Sequence, residues 1–182
     1  MSDVDITLDL ALDGTTESDI QDTIDDLNNI GTTWKGDDVT SALNNATFKT
    51  ATKNFIRDVE GEKYTVYDDG QGNKTISVGY NMDQYGTVDT SGTPTDFANN
   101  NPDLSQDFSD AGIALADQQG AYLGTYAINQ SQSDSLFDKA LTTRMQNIEN
   151  LFQGTPDLSN HDITSNELLT SASLYYNAPD LL

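Results

Sequence analysis

Val4, Ile6, Leu8 and Leu10 alternate with polar residues, the period of a half-buried strand, and Asp13-Gly14 follows as a turn signal. Ile20, Ile24, Leu27 and Ile30 then recur at helical spacing up to Gly31, so residues 17–30 read as a helix with an acidic outer face. A second helix is predicted over 39–59, carrying Leu43, Phe48, Ala51, Phe55 and Ile56 and running into Glu60-Gly61, where the glycine is a natural helix end. Residues 64–67, a Gly-rich run at 68–73 and residues 74–80 give strand, turn, strand. Residues 81–108 are rich in Asn, Asp, Thr, Gly and Pro with few apolar anchors, which predicts a long loop or inserted lobe. Helical spacing returns over 109–127 and over 133–153, the latter ending before Gly154 and Pro156. Thr164-Ser165-Asn166-Glu167 has the form of a capping box and opens a last helix that Pro179 stops.

This pattern gives an α+β fold with a helical majority and one small antiparallel sheet. Residues 1–45 form an acidic arm of strand plus helix, and 46–182 form the main domain. The opposite reading, in which Trp34 and its neighbouring aliphatics belong to the main core, stands equally open on burial preferences.

Composition narrows the possible functions. Leu, Ile, Val and Phe make about a fifth of the 182 residues, just above the roughly 20% below which a strongly charged chain stays disordered. The net charge is −22, carried by 25 Asp and only 5 Glu against 8 Lys and Arg. So negative a surface has no means of neutralising phosphates, which argues against nucleic-acid binding. No apolar run approaches a membrane span, and residues 1–10 carry neither the basic start nor the apolar stretch of a signal peptide. The expectation is a soluble chain not exported by that route. With no cysteine and one histidine, His161, the chain offers no thiolate metal site, cysteine nucleophile or histidine-based triad. Chemistry must rest on carboxylates, hydroxyls and amides.

Asp69-x-Gln71-x-Asn73 has the spacing of a calcium loop, but Lys74 stands where a glycine is needed and Tyr80 where a bidentate Glu is needed, so no metal is expected. His161 reads as a loop histidine, and the scattered Asp residues as a solvated face. The informative stretch is 60–80. It sets Glu60 at a helix end, Asp69 at a hairpin turn and Thr75 on the returning strand, a spacing able to bring all three to one cleft. Two facing carboxylates are what glycoside hydrolysis needs, one protonated to serve the leaving oxygen and one ionised to steer a water. The plain alternative is a structural helix and hairpin, a common arrangement in so acidic a chain.

Phe55-Ile56-Arg57-Asp58-Val59-Glu60-Gly61, Tyr67-Asp68-Asp69, Gly72 and Lys74-Thr75-Ile76-Ser77-Val78-Gly79-Tyr80-Asn81 resemble the signature of the T-even phage lysozyme family of muramidases. That signature is a helix-ending Glu-Gly, a Tyr-x-Asp turn and a Thr-Ile-Gly-x-Gly strand. Residues 128–141, with Gln132, Leu136 and Phe137, and residues 169–177 are similar to later helices of the family, so the resemblance covers about residues 50–182. It implies a lysozyme-like fold with Glu60 as general acid, Asp69 as the carboxylate that positions or activates the water, and Thr75 as the residue that helps hold it. It also implies an inverting outcome at the bond between N-acetylmuramic acid and N-acetylglucosamine, without metal or cofactor. Tyr80, Tyr176 and Asn177 are implied along the saccharide cleft, ordinary packing at a helix end being the alternative for the last two.

The sequence departs from the family pattern at Ser77, where the family has a glycine, and at Tyr80, where it has a histidine; both read as structural changes. The family continues through further helices beyond the counterpart of Asn177, so the chain is expected to be a piece of a longer product or a shortened fold. Bacterial walls are largely anionic, so an enzyme this acidic is repelled from them at low salt. The Asp excess suggests a saline host or a virion-mounted enzyme delivered to the wall, located in the virion or in the host cytoplasm before lysis. The expected partners are peptidoglycan and, through residues 1–45, other virion proteins. A tail or ejection protein keeping the fold without catalysis is the rival, and a glycan-binding module a third reading.

Overall fold

A computed structural model describes residue 25 and residues 33–177 of the chain, with side chains up to Leu174. The strand expected at 4–10 and the helix expected at 17–30 lie outside the described residues, apart from Asp25, which is helical. The described chain is mixed α+β: strand β1 (Thr33–Lys35), a run of 3-10 turns (Gly36–Asn44) kinked at Asp38, helix α1 (Ala46–Glu60), strands β2 (Lys63–Asp68), β3 (Lys74–Ser77) and β4 (Tyr80–Asn81), helices α2 (Pro94–Asn100), α3 (Pro102–Asp110), α4 (Leu115–Leu123), α5 (Gln130–Gln153) and α6 (Pro156–Ser159), strand β5 (Asp162–Thr164) and helix α7 (Ser165–Asn177).

Two antiparallel sheets form. β2, β3 and β4 make a three-stranded sheet in that order, and β1 pairs with β5, Trp34 opposite Ile163. Trp34 is buried and its ring lies 5.1 Å from that of Phe48. Val39 and Ala42 join the same core, so the described residues before the boundary expected at 45 pack together with those after it. Gly36 shows how closely this segment is packed, because a Cβ there would meet the Leu158 carbonyl oxygen at 2.1 Å.

The single helix expected over 39–59 is broken at Asn45. Its extended backbone leaves the helical region, and its side chain accepts from the Phe48 amide, capping α1. Phe48, Ala51, Thr52 and Ile56 then bury one face of α1. The helix ends where Gly61 takes φ 73 and returns its amide to the Arg57 carbonyl, a backbone conformation that favours glycine.

The strand expected over 74–80 is also broken. Ser77 at φ 61 and Gly79 at φ 68 turn the chain back so that Tyr80 pairs with Ile76. Of the long loop or inserted lobe expected over 81–108, most of the second half folds as helix. Thr93 and Asp96 form a reciprocal capping box with Pro94 in the first turn of α2, Pro102 starts α3, and Phe97, Leu104 and Phe108 are buried. The 24-residue α5 is the central helix, burying Leu136, Phe137, Ala140, Leu141, Met145 and Ile148. Among the described residues no helix is long and apolar enough to cross a membrane.

Candidate active site at the helix and hairpin corner

Glu60 is the last residue of α1, and its Oε1 is buried. Two residues later the chain enters β2, whose register sets Tyr67 opposite Thr75, and Thr75 in turn lies opposite Asn81 on β4. Directly opposed residues of antiparallel strands project from the same sheet face, so Tyr67, Thr75 and Asn81 share one. Thr75 is buried, and no described group hydrogen-bonds its Oγ1. A buried hydroxyl left this way costs on the order of 1–3 kcal/mol unless a ligand or solvent completes it.

Asp69 lies in the loop between β2 and β3. Its Oδ1 accepts from the amides of Gln71 (2.9 Å) and Asn73 (3.1 Å), and its Oδ2 from Asn73 Nδ2 (2.9 Å). Partial burial works to raise its pKa, but these hydrogen bonds outweigh it and hold the carboxyl below the usual aspartate range. Asp68 closes the other half of the loop, accepting from Gly70 and Gly72 amides. Among the described residues no group of three or more His, Asp and Glu is placed to hold a metal ion.

Tyr67 ties the constellation together. Burial pushes its phenol up; a backbone hydrogen bond at Gly79 opposes this, Glu60 and Asp69 push further up, and Arg144 on α5 pulls down. Both carboxylates therefore push the Tyr67 phenol in the same direction, and Tyr67 is the residue that β2 sets opposite Thr75. Arg144 Nη2 also donates to the Gly79 carbonyl, at 3.3 Å, and Lys63 Nζ lies 5.1 Å above the Tyr67 ring. Sequence reasoning used Tyr67 only as part of a motif and missed Arg144, although it is one of only two arginines in the chain.

Glu62, also missed, anchors the corner to α5. Its Oε1 accepts from Ser133 Oγ (2.6 Å) and Gln130 Nε2 (3.0 Å), its Oε2 accepts from Tyr64 (3.1 Å), and Arg57 Nε lies 3.5 Å from Oε2. Burial raises its pKa, but the bonds from Ser133, Gln130 and Tyr64 and the Arg57 charge outweigh this, leaving Glu62 below the usual glutamate range. Ser133 continues the chain of contacts, since Ser77 Oγ donates to the Ser133 carbonyl (2.8 Å) and lies 2.7 Å from Ser133 Oγ. That pair fastens the left-handed Ser77, which among the described residues is the one non-glycine with positive φ.

The remaining expected positions do not gather at this corner. Tyr80 is 1% exposed, and its hydroxyl donates to Asp107 at 2.6 Å, so it is packed in the core. Tyr176 and Asn177 fall in the last turn of α7, and their side chains lie outside the described residues. Comparison with protein-family models, curated proteins and solved structures finds no match to the chain.

Proposed function

We propose that the protein is a muramidase that cleaves the β-1,4 bond between N-acetylmuramic acid and N-acetylglucosamine in peptidoglycan. The observation that carries this reading is the buried Thr75 hydroxyl, which no described group hydrogen-bonds, on the strand that follows the Asp69 loop and the Glu60 helix end. In this reading Glu60 gives its proton to the leaving glycosidic oxygen. Asp69, which its hydrogen bonds keep ionised at neutral pH, takes a proton from the attacking water, and Thr75 Oγ1 holds that water. The outcome is inversion, after which solvent restores both protonation states. The left-handed backbone at Ser77 also supports the resemblance, since it is the conformation a glycine serves at that place in the lysozyme signature.

The proposal includes a virion location, with delivery to the wall overcoming the repulsion expected of a chain of net charge −22. Because residues 33–45 pack into the domain, the docking role passes to residues 1–32. A second reading, a virion structural protein without turnover, is favoured by the three hydrogen bonds that commit Asp69 to its own loop.

Release of reducing sugar from purified peptidoglycan separates the two. The muramidase reading expects turnover by the chain, a fall of about 10²-fold or more in Glu60→Gln with folding intact, and faster turnover at roughly 0.5 M salt as repulsion is screened. No release by the unaltered, folded chain at either salt concentration would leave the structural reading.

A further inference from the structure

Ser77 is fully buried and sits at φ 61, a left-handed backbone that costs a residue with a Cβ about 10-fold in the folding equilibrium relative to glycine. A glycine would take this turn unaided. Serine brings an oxygen instead, and that oxygen is used. Ser77 Oγ donates to the Ser133 carbonyl at 2.8 Å and lies 2.7 Å from Ser133 Oγ, which in turn lies 2.6 Å from Glu62 Oε1. The direction of this chain follows from its far end. Glu62 accepts from Ser133, Gln130 and Tyr64 and faces the Arg57 guanidinium, so it acts as an ionised acceptor. Ser133 has a single hydroxyl proton, and it goes to Glu62. The proton shared between the two serines is therefore the one that Ser77 donates.

Two parts of the candidate site hang on the turn that Ser77 begins. Gly79, at φ 68, ends it; its carbonyl accepts from Arg144 Nη2 at 3.3 Å, and a backbone hydrogen bond links it to the Tyr67 phenol. Thr75 lies two residues before Ser77 on β3. A change in the backbone of 77–79 thus moves a partner of Tyr67 and the end of the strand that carries Thr75. We propose that Ser77, Ser133 and Glu62 are positioning residues: a one-way hydrogen-bond relay that pins the left-handed turn and, through it, the Tyr67 and Thr75 side of the candidate site. The catalytic consequence rests on the muramidase reading; the pinning of the turn does not.

Urea unfolding of a small set of variants tests the relay. Ser77→Ala keeps the strained backbone and loses the relay, and should lower the folding equilibrium constant at least about 10-fold. Ser77→Gly also loses the relay but relaxes the backbone, and should avoid most of that loss. The decisive variants are Ser133→Ala and Glu62→Gln, each made in the unaltered chain and again beside Ser77→Gly. Each should cost at least about 3-fold more in the unaltered chain than beside Ser77→Gly, as expected of members of one hydrogen-bond network. Glu62 and Ser77 meet through Ser133, so the coupling between them reports the relay and not a direct contact. These cycles do not use Ser77→Ala and stand even if that variant does not fold. In the hydrolysis assay Glu62→Gln should lower kcat about 10-fold with KM little changed, and adding Ser77→Gly should restore most of it, a rescue that a merely structural role does not give. Costs that simply add, or a kcat loss that Ser77→Gly leaves in place, would overturn the proposal. Absence of hydrolysis by the unaltered, folded chain would refute the muramidase reading and leave the coupling in urea to judge the relay by itself.

Discussion

Two buried polar centres, one around Asp107 and one at Thr75 on the hairpin, are built on opposite principles. Around Asp107 every demand is met. Its Oδ2 accepts from Tyr80 and Tyr85, each at 2.6 Å, and its Oδ1 pairs with Lys139 at 2.9 Å, so a carboxylate only 5% exposed has a donor at each oxygen. The hairpin face is the reverse: Thr75 Oγ1 is as deeply buried and no described group satisfies it. Saturation is what a fold does with polar atoms it uses for strength, because an unpaired buried group forfeits its hydration for nothing. A buried atom left unsaturated is therefore more informative about function than the saturated knot.

The largest expected effect of breaking this contrast falls on the saturated centre. Asp107→Ala strands two tyrosine hydroxyls and the half-exposed Lys139, and should cost about 3 kcal/mol, read as a lower urea midpoint at unchanged slope. The same centre sets a pH dependence. Burial raises the Asp107 pKa, but the bonds from Tyr80, Tyr85 and Lys139 and the Lys139 charge outweigh it and hold the carboxyl below the usual aspartate range. A depressed carboxyl stabilises the fold above the ordinary aspartate value, near 3.9, and that stability is lost as pH falls through the native value. Unfolding free energy should thus be level near neutrality and drop below about pH 4, by at most about 1.4 kcal/mol per pH unit for this group, and Asp107→Ala should flatten that part of the curve. The smallest effect on stability belongs to the unsaturated centre. Thr75→Val removes a hydroxyl that no described group partners and should leave the urea midpoint unchanged or raise stability by up to about 1 kcal/mol, while the muramidase proposal expects hydrolysis to fall at least about 10-fold.

The hairpin and its flanking Glu60-Gly61 were legible because the signal is local: alternating strands around a Gly-rich turn, and a glycine that ends a helix. The capping box at Thr164 and Glu167 was legible for the same reason, and both its bonds are present, from the Thr164 amide to Glu167 and from the Glu167 amide to Thr164 Oγ1. Over residues 81–108, left open between a long loop and an inserted lobe, Asn, Asp and Gly content masked a second capping box, Thr93 with Asp96, that was equally readable. Tyr80 was misplaced because its burial depends on Asp107, which lies on a distant helix and carries no sequence mark distinguishing it from the other 24 aspartates. Arg57 with Asp134, and Glu62 with Ser133, are likewise contacts across more than 70 residues, where periodicity says nothing. The core role of Trp34 was one of two open readings, and its burial against Phe48 together with its pairing with Ile163 favours that one.

That pairing also bears on the order in which the molecule is assembled. β1 is three residues long and has no partner until β5 is available, and Lys35 and Asn160, which hydrogen-bond beside the ladder, are 125 residues apart in sequence. Closing so long a loop comes late, after local helices and hairpins have formed and can offset its entropy. The helix and hairpin corner, spanning residues 46–77, is composed of neighbours in sequence and should form early, while Trp34 reaches its place against Phe48 only when synthesis has passed residue 164. Until that latch closes, a nascent chain carries the carboxylates of the corner on a core that still lacks one edge.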